Sequence, residues 1–208
     1  LISHGGEDGV VGYLQSGLVA FSFIDFQGQS RIFNLCLPGR TIGDLDGLNP
    51  SRVAVIAECL RPSTILLLSR QIWLTELRKS TELMELYANT AILKEECFLE
   101  GFVSNFTLDL SYRLRVLLLS IIMSYYPLKT TDWNPLPINL TITELSRIVA
   151  ANRSWVSTKI NEWEKLGLIK KDGRRLIAHG SLFEPVRDWA TRQKFGGIFS
   201  KQVDEPCL

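Results

Sequence analysis

Residues 140–180 constrain this chain more than any other stretch, because they encode two short helices around a tight turn, followed by a basic hairpin. In the first helix Ile142, Leu145, Ile148 and Val149 recur at helical spacing and form an inward stripe, while Thr143, Glu144 and Arg147 face outward. Ala150, Ala151 and Asn152 supply the turn. Asn152 is a good N-cap, since its side-chain oxygen accepts backbone N–H groups at the start of a second helix that begins at Arg153 and ends at Gly167. Within that helix Val156, Ile160 and Trp163 fall at i, i+4 and i+7 and pack inward. Ser154, Ser157, Thr158 and Asn161 are left on the opposite face, beside Arg153. Leu168 and Ile169 then start a strand, Asp172 and Gly173 form a tight turn, and Arg174, Arg175, Leu176 and Ile177 return as a cationic wing.

A helix buried on one side and lined with short polar groups on the other fits the major groove of DNA, where base edges display distinguishable donors and acceptors. Arg153 is the first candidate base reader, because its guanidinium fork matches the two acceptors of guanine. Ser154, Ser157, Thr158 and Asn161 reach bases or phosphates according to docking angle. Lys159, further round the helix, is placed for phosphate, as are Thr141 and the wing residues Lys171 and Arg174. The plainer alternative is that Lys170, Lys171, Arg174 and Arg175 only solvate an ordinary turn. Helix face, turn and hairpin together favour DNA.

Charge divides along the chain in the same sense. The net charge is +1, but residues 140–208 hold 12 Lys or Arg against 8 Asp or Glu, and the preceding residues hold 11 against 14. Such a modest excess suits a specific reader and argues against coating nucleic acid by charge alone. Hydrophobic residues at 46% and charged ones at 22% indicate a soluble globular chain whose 208 residues allow two modest domains. The most apolar helical run, residues 116–123, is too short to span a bilayer, so no membrane role is expected.

Residues 9–68 are punctuated by turn residues at Ser16 and Gly17, Gln27 and Gly28, Pro38 and Gly39, and Asn49 and Pro50. Strands are predicted at 18–26, 31–37, 52–58 and 63–68, spaced as in an antiparallel roll or barrel. Beyond Ser69 the period changes: Ile72, Leu74 and Leu77 lead into a helix where Leu83, Leu86, Thr90, Leu93 and Cys97 alternate three and four apart. That stripe is a candidate dimer seam, unless it packs on the roll of its own subunit. Gly101, Ser104, Asn105 and Thr107 interrupt the pattern, which predicts a hinge between Phe102 and Thr107 and a new helix near Asp109. Three prolines in residues 127–141 predict an extended loop, and residues 182–193 form a last amphipathic stretch before a polar tail.

The segment "LTITELSRIVAANRSWVSTKINEWEKLGLI" resembles the helix-turn-helix of the CRP/FNR family of bacterial transcription regulators, and the resemblance extends over about residues 10–178. It implies an α+β chain: an effector-sensing, cyclic-nucleotide-binding-like β-roll in residues 1–80, a dimerisation helix and hinge in 81–106, a winged helix-turn-helix in 107–180, and a C-terminal helix and tail in 181–208. It also implies a cytoplasmic homodimer on a palindromic site of double-stranded DNA, with RNA polymerase as partner if the regulator is an activator. In that family the stretch "LPGRTIGDLDGLNPSRVAVIAE" grips a nucleotide phosphate, which would assign Gly43 to the anion, Arg52 to its charge and Asp44 to a ribose hydroxyl. Asp44 stands where nucleotide binders have Glu, Val53 where they have Ser or Thr, and Phe98 and Leu99 where they offer hydroxyls to adenine. The effector implied is therefore a small apolar or aromatic compound and not cyclic AMP. Equally open is a roll without a ligand, in which Gly43 only turns the chain and Arg52 pairs with Asp44 or Asp46. In the recognition helix Thr158 replaces a frequent Arg, Ser154 a Glu, and in the turn Ala150 a Gly, so the target sequence does not carry over.

Catalytic and metal chemistry find little support. The two histidines, His4 and His179, are far apart, and no nucleophile elbow, Walker loop or His-Glu metal pair occurs, so an enzyme is not expected. Cys36, Cys59, Cys97 and Cys207 are scattered, without the close pairs that metal or redox motifs use. The chain opens at Leu1 without an initiator methionine, which predicts a truncated N-terminus; an iron–sulfur cluster, which some family members carry on N-terminal cysteines, would need residues from there. Haem ligation by His4 is a remote alternative. The rival from another class is a ligand-binding regulatory subunit whose winged domain docks a protein partner and not DNA.

Overall fold

The computed structural model describes residues 2–3, 9–44 and 55–192. His4, Asp46, Arg52, Val53, Cys207 and the polar tail lie outside them. The chain divides into two compact units, residues 1–99 and 100–208, with the boundary inside one long helix.

In the first unit, short β-branched and aromatic segments pair antiparallel, mostly with strands distant in the chain. One sheet runs β1 (Ile2–Ser3), β6 (Ile56–Cys59), β3 (Val19–Ile24), β4 (Ser30–Cys36). The other runs β5 (Thr41–Ile42), β2 (Val10–Ser16), β7 (Thr64–Ser69). Both contribute to one core of Leu14, Val19, Phe21, Cys36, Ile42, Val55 and Ala57, with Phe33 and Ile65 packed against it. Central in the second sheet is β2, which the pattern does not single out because Gly12 dilutes its alternation. A Cβ at Gly12 would stand 2.7 Å from Ile65 Cγ2, so the missing side chain lets β7 close over the core. Gly43 is likewise steric: it sits at φ +79, and a Cβ there would meet the Val10 carbonyl oxygen at 2.6 Å.

α1 (Arg70–Lys79) starts at Ser69, whose hydroxyl accepts the Ile72 N–H, and stops where Ser80 turns extended. Ser80 in turn accepts the Leu83 N–H at 3.2 Å and opens α2 (Thr81–Thr107). The hinge expected between Phe102 and Thr107 is corrected, because α2 runs unbroken to Thr107. A single glycine costs a helix only about 1 kcal/mol. Asn105 adds a tertiary bond from its Nδ2 to the Ile148 carbonyl at 3.1 Å, and Thr107 stays within the helix by bonding Val103 O at 2.7 Å. The break comes instead at Asp109, which is extended and starts α3 (Leu110–Met123).

In the second unit α3 buries Leu114, Val116, Leu118, Leu119, Ile121 and Ile122. The proline-rich run is not all loop: β8 (Trp133–Pro135) lies within it. Buried Asn134 on β8 accepts from Lys129 N and donates to the carbonyls of Lys129 and Asp132, so its polar atoms are satisfied. α4 (Ile142–Ile148), α5 (Arg153–Lys165), β9 (Ile169–Asp172) and β10 (Arg175–His179) follow, the sheet order being β8-β10-β9. A 3₁₀ turn (Gly180–Phe183) and α6 (Glu184–Arg192) complete the described chain. No described helix is long and apolar enough to cross a membrane.

Candidate nucleic-acid interface and ligand cavity

The helix-turn-helix is built from its caps. Thr141 opens α4 with a capping box: its hydroxyl accepts Glu144 N–H at 3.2 Å, and Glu144 Oε2 accepts Thr141 N–H at 2.6 Å. Glu144, expected to face outward, is therefore buried, because the box folds its carboxylate back onto the helix start. Ala150 in the turn holds φ +51, left-handed backbone that an L side chain rarely adopts. Asn152 caps α5 as the sequence implies, accepting Trp155 N–H at 2.7 Å and also the Ser154 hydroxyl at 2.9 Å.

Val156, Ile160 and Trp163 are buried at 0%, 0% and 1% exposure, and Arg153, Ser154, Thr158 and Asn161 are exposed. Ser157 and Lys159 are half-buried. Trp163 is clamped from the α3 side by Arg115, whose guanidinium lies 4.7 Å from the indole while its Nε donates to Leu182 O at 3.0 Å. Burial lowers the pKa of Arg115 from the ordinary arginine range. Sequence reasoning does not find this residue, since nothing local pairs an Arg on α3 with a Trp on α5.

The wing turns one residue later than expected. Asp172 pairs with Arg175, so the two-residue turn is Gly173 and Arg174, with Gly173 at φ +57 taking the first central position. Arg174 is exposed at the tip. The other wing cations are engaged within the protein: Lys170 lies 3.7 Å from the Trp133 ring centre, Arg175 Nε donates to Leu136 O at 3.0 Å, and Lys171 Nζ reaches Asn161 Oδ1 at 2.9 Å and Glu164 Oε2 at 2.6 Å. Lys159 pairs with Glu162 at 2.6 Å.

In the first unit a cavity of about 120 Å³ opens between the roll and the first half of α2, lined among others by Phe21, Phe33, Asn34, Asp44, Lys94 and Phe98. Phe33 meets Phe98 edge-on at 5.8 Å. The Asp44 carboxylate is buried and accepts from Thr41 Oγ1 at 2.7 Å and from Lys94 Nζ at 2.5 Å. Tyr87 donates to the Asp44 carbonyl at 3.3 Å. Because Asp44 is nearby and the phenol is partly buried, the Tyr87 pKa is raised, burial being the larger cause. Tyr87, Ala91, Lys94 and Phe98 follow helical spacing, which brings all four to the cavity and turns Leu99, one residue on, outward to 48% exposure. That same spacing could have picked out Tyr87 and Lys94 from the sequence. No group of three or more His, Cys, Asp or Glu side chains among the described residues is placed to hold a metal.

A two-sheet roll, a long helix and a winged helix-turn-helix in this order make up the fold of the CRP/FNR transcription regulators. Among the solved structures it resembles is the CRP-family regulator TTHB099 of Thermus thermophilus, at 19% identity and a TM-score of 0.68 over 90% of this chain and 91% of that one. A CooA variant from Carboxydothermus hydrogenoformans gives 16% and 0.71 over 91% and 83%, and FixK2 of Bradyrhizobium japonicum 13% and 0.71 over 100% and 93%. Neither a family model nor a curated protein matches the sequence. At these identities the likeness establishes the fold.

Proposed function

We propose that this chain is an effector-responsive transcription regulator that acts by binding, not by catalysis, with α5 in the major groove of DNA. The observation that carries it is the polar face of Arg153, Ser154, Thr158 and Asn161, exposed over a fully buried Val156, Ile160 and Trp163. Arg153 reads a base, Ser157 supports that face, Thr141 and Arg174 hold phosphates, and Lys159 joins them where a phosphate displaces its Glu162 partner. Two copies pair through Leu83, Leu86, Thr90, Leu93 and Cys97, of which Leu83 and Leu86 are exposed. The site is then a palindrome with half-sites about one helical turn apart. Work on chromosomal DNA places such a regulator in the cytoplasm.

The cavity is the effector site, with Phe21, Phe33 and Phe98 as an aromatic wall and the Lys94–Asp44 pair as its polar floor. That composition suits a small aromatic compound better than a cyclic nucleotide, since Lys94 and Thr41 already occupy the Asp44 carboxylate that would take a ribose hydroxyl. Gly43 and Arg52 remain the candidate anion contacts, Arg52 lying outside the described residues.

Fluorescence anisotropy of the full chain on a duplex library, repeated across a salt series, tests the reading. Each phosphate clamped by a cation contributes about 0.9 to the slope of log affinity against log salt. Absence of duplex binding at low salt would favour the protein-docking alternative.

A further inference from the structure

Lys171 on β9 sets the orientation of a side chain that faces DNA. Its ammonium bridges Asn161 Oδ1 and Glu164 Oε2, at 2.9 and 2.6 Å, and so ties the wing to two residues one turn apart on α5. An ammonium only donates, which forces the Asn161 amide to turn its oxygen toward Lys171. What remains to look outward is Nδ2 with its two N–H groups. An asparagine with both ends available reads adenine in the major groove, its oxygen accepting from N6 while its nitrogen donates to N7. Here the ammonium fills one lone pair of Oδ1 and sets its own donors where the N6 amino donor of adenine would have to approach, and its pairing with Glu164 weakens it as a phosphate anchor.

We infer that Lys171 is a specificity-determining positioning residue: by holding Oδ1, it makes Asn161 a donor-only reader of the guanine edge and denies it the paired contact with adenine. The inference rests on α5 reading DNA. Guanine offers two neighbouring acceptors, N7 and O6, whereas adenine offers N7 alone beside its N6 donor and thymine O4 alone, so a donor-only amide is best satisfied by guanine. Cytosine presents a donor there and is rejected.

The test selects duplexes from a library with one randomised half-site, using the full-length chain, and sequences what is bound. Asn161→Ala locates the base pair concerned as the one whose preference disappears. At that pair the wild type is expected to enrich guanine over adenine by about tenfold, the size of one good base contact. Lys171→Met frees Oδ1 and moves the enrichment to adenine; Lys171→Arg, which still donates, restores the original preference. An adenine preference in the wild type, or no preference for Asn161→Ala to erase, overturns the inference. So does a Lys171→Met protein that weakens on every sequence alike while its salt slope falls by about 1, the behaviour of a phosphate anchor. These outcomes leave DNA reading intact, whereas a library that yields no bound duplex removes DNA reading and this inference with it.

Discussion

Arg153 occupies the first turn of α5 with its guanidinium exposed, beside a Ser154 whose hydroxyl is already committed to Asn152. It is thus the group at that end of the helix with the most donors to offer a base, and Arg153→Ala should cost about 1 to 3 kcal/mol at a single base pair and relax specificity there. Affinities for duplexes varied one pair at a time check this; equal loss on all of them would reassign Arg153 to phosphate. In the roll, a different arithmetic applies to Lys94 and Asp44, whose side chains are 18% and 5% exposed. Removing only the lysine strands a buried carboxylate, so Lys94→Met should destabilise the roll by about 3 kcal/mol, the lower part of the range for broken buried pairs. Adding Asp44→Asn should recover most of that loss, because two uncharged groups of similar shape need no counter-ion. Hydrogen exchange at β2 and β5 amides reads both variants, and a double variant no better than the single one would show that a stranded carboxylate is not what the single variant loses.

At the scale of elements, α5 is presented by what lies beneath it. Trp163 is nearly fully buried and stacked under Arg115, so Trp163→Ala should cost about 3 to 5 kcal/mol of stability and loosen the recognition helix before any base contact is touched. Thermal melts should drop accordingly, and DNA affinity should fall on all sequences, the opposite of the single-pair signature of Arg153→Ala. Here the sequence was most legible: caps, apolar stripes and a glycine turn are local signals, and they located α4, α5 and the wing within a residue or two. What escaped it was non-local. Lys170, Lys171 and Arg175 found partners on other elements, and Asn105, expected in a hinge, bonds the end of α4 from within α2; the inward turn of Glu144, by contrast, was local, since Thr141 and Glu144 have capping-box spacing. The cavity was half legible for the same reason. Phe98 was found from its place in the long helix, and Lys94 one turn before it was legible by the same spacing, but Phe21 and Phe33 meet them only once the roll closes.

For the whole molecule the decisive quantity is the number of chains. Leu83, Leu86, Thr90, Leu93 and Cys97 alternate three and four apart on α2, and in a parallel two-fold pairing each such side chain meets its own mate across the axis. Leu83 and Leu86, 43% and 58% exposed in a single chain, would be covered by that pairing. Cys97 then faces Cys97 of the second copy, close enough for oxidative cross-linking if the register is in phase, since a disulfide tolerates Cα separations of roughly 4.4 to 6.8 Å. Copper-phenanthroline oxidation should convert the protein to a covalent dimer on non-reducing gels, and Cys97→Ser should abolish it. Cys36 makes a poor competitor: it is buried, and burial pushes its thiol up to about 12, which keeps it protonated and unreactive at neutral pH. Cys59 is exposed on β6 and Cys207 lies outside the described residues, so a Cys59→Ser, Cys207→Ser background removes collisional cross-links through either. Cross-linking that survives Cys97→Ser in that background would place the contact elsewhere. A protein that sediments as a monomer at micromolar concentration would remove the seam, and with it the palindrome, because one recognition helix reads one half-site.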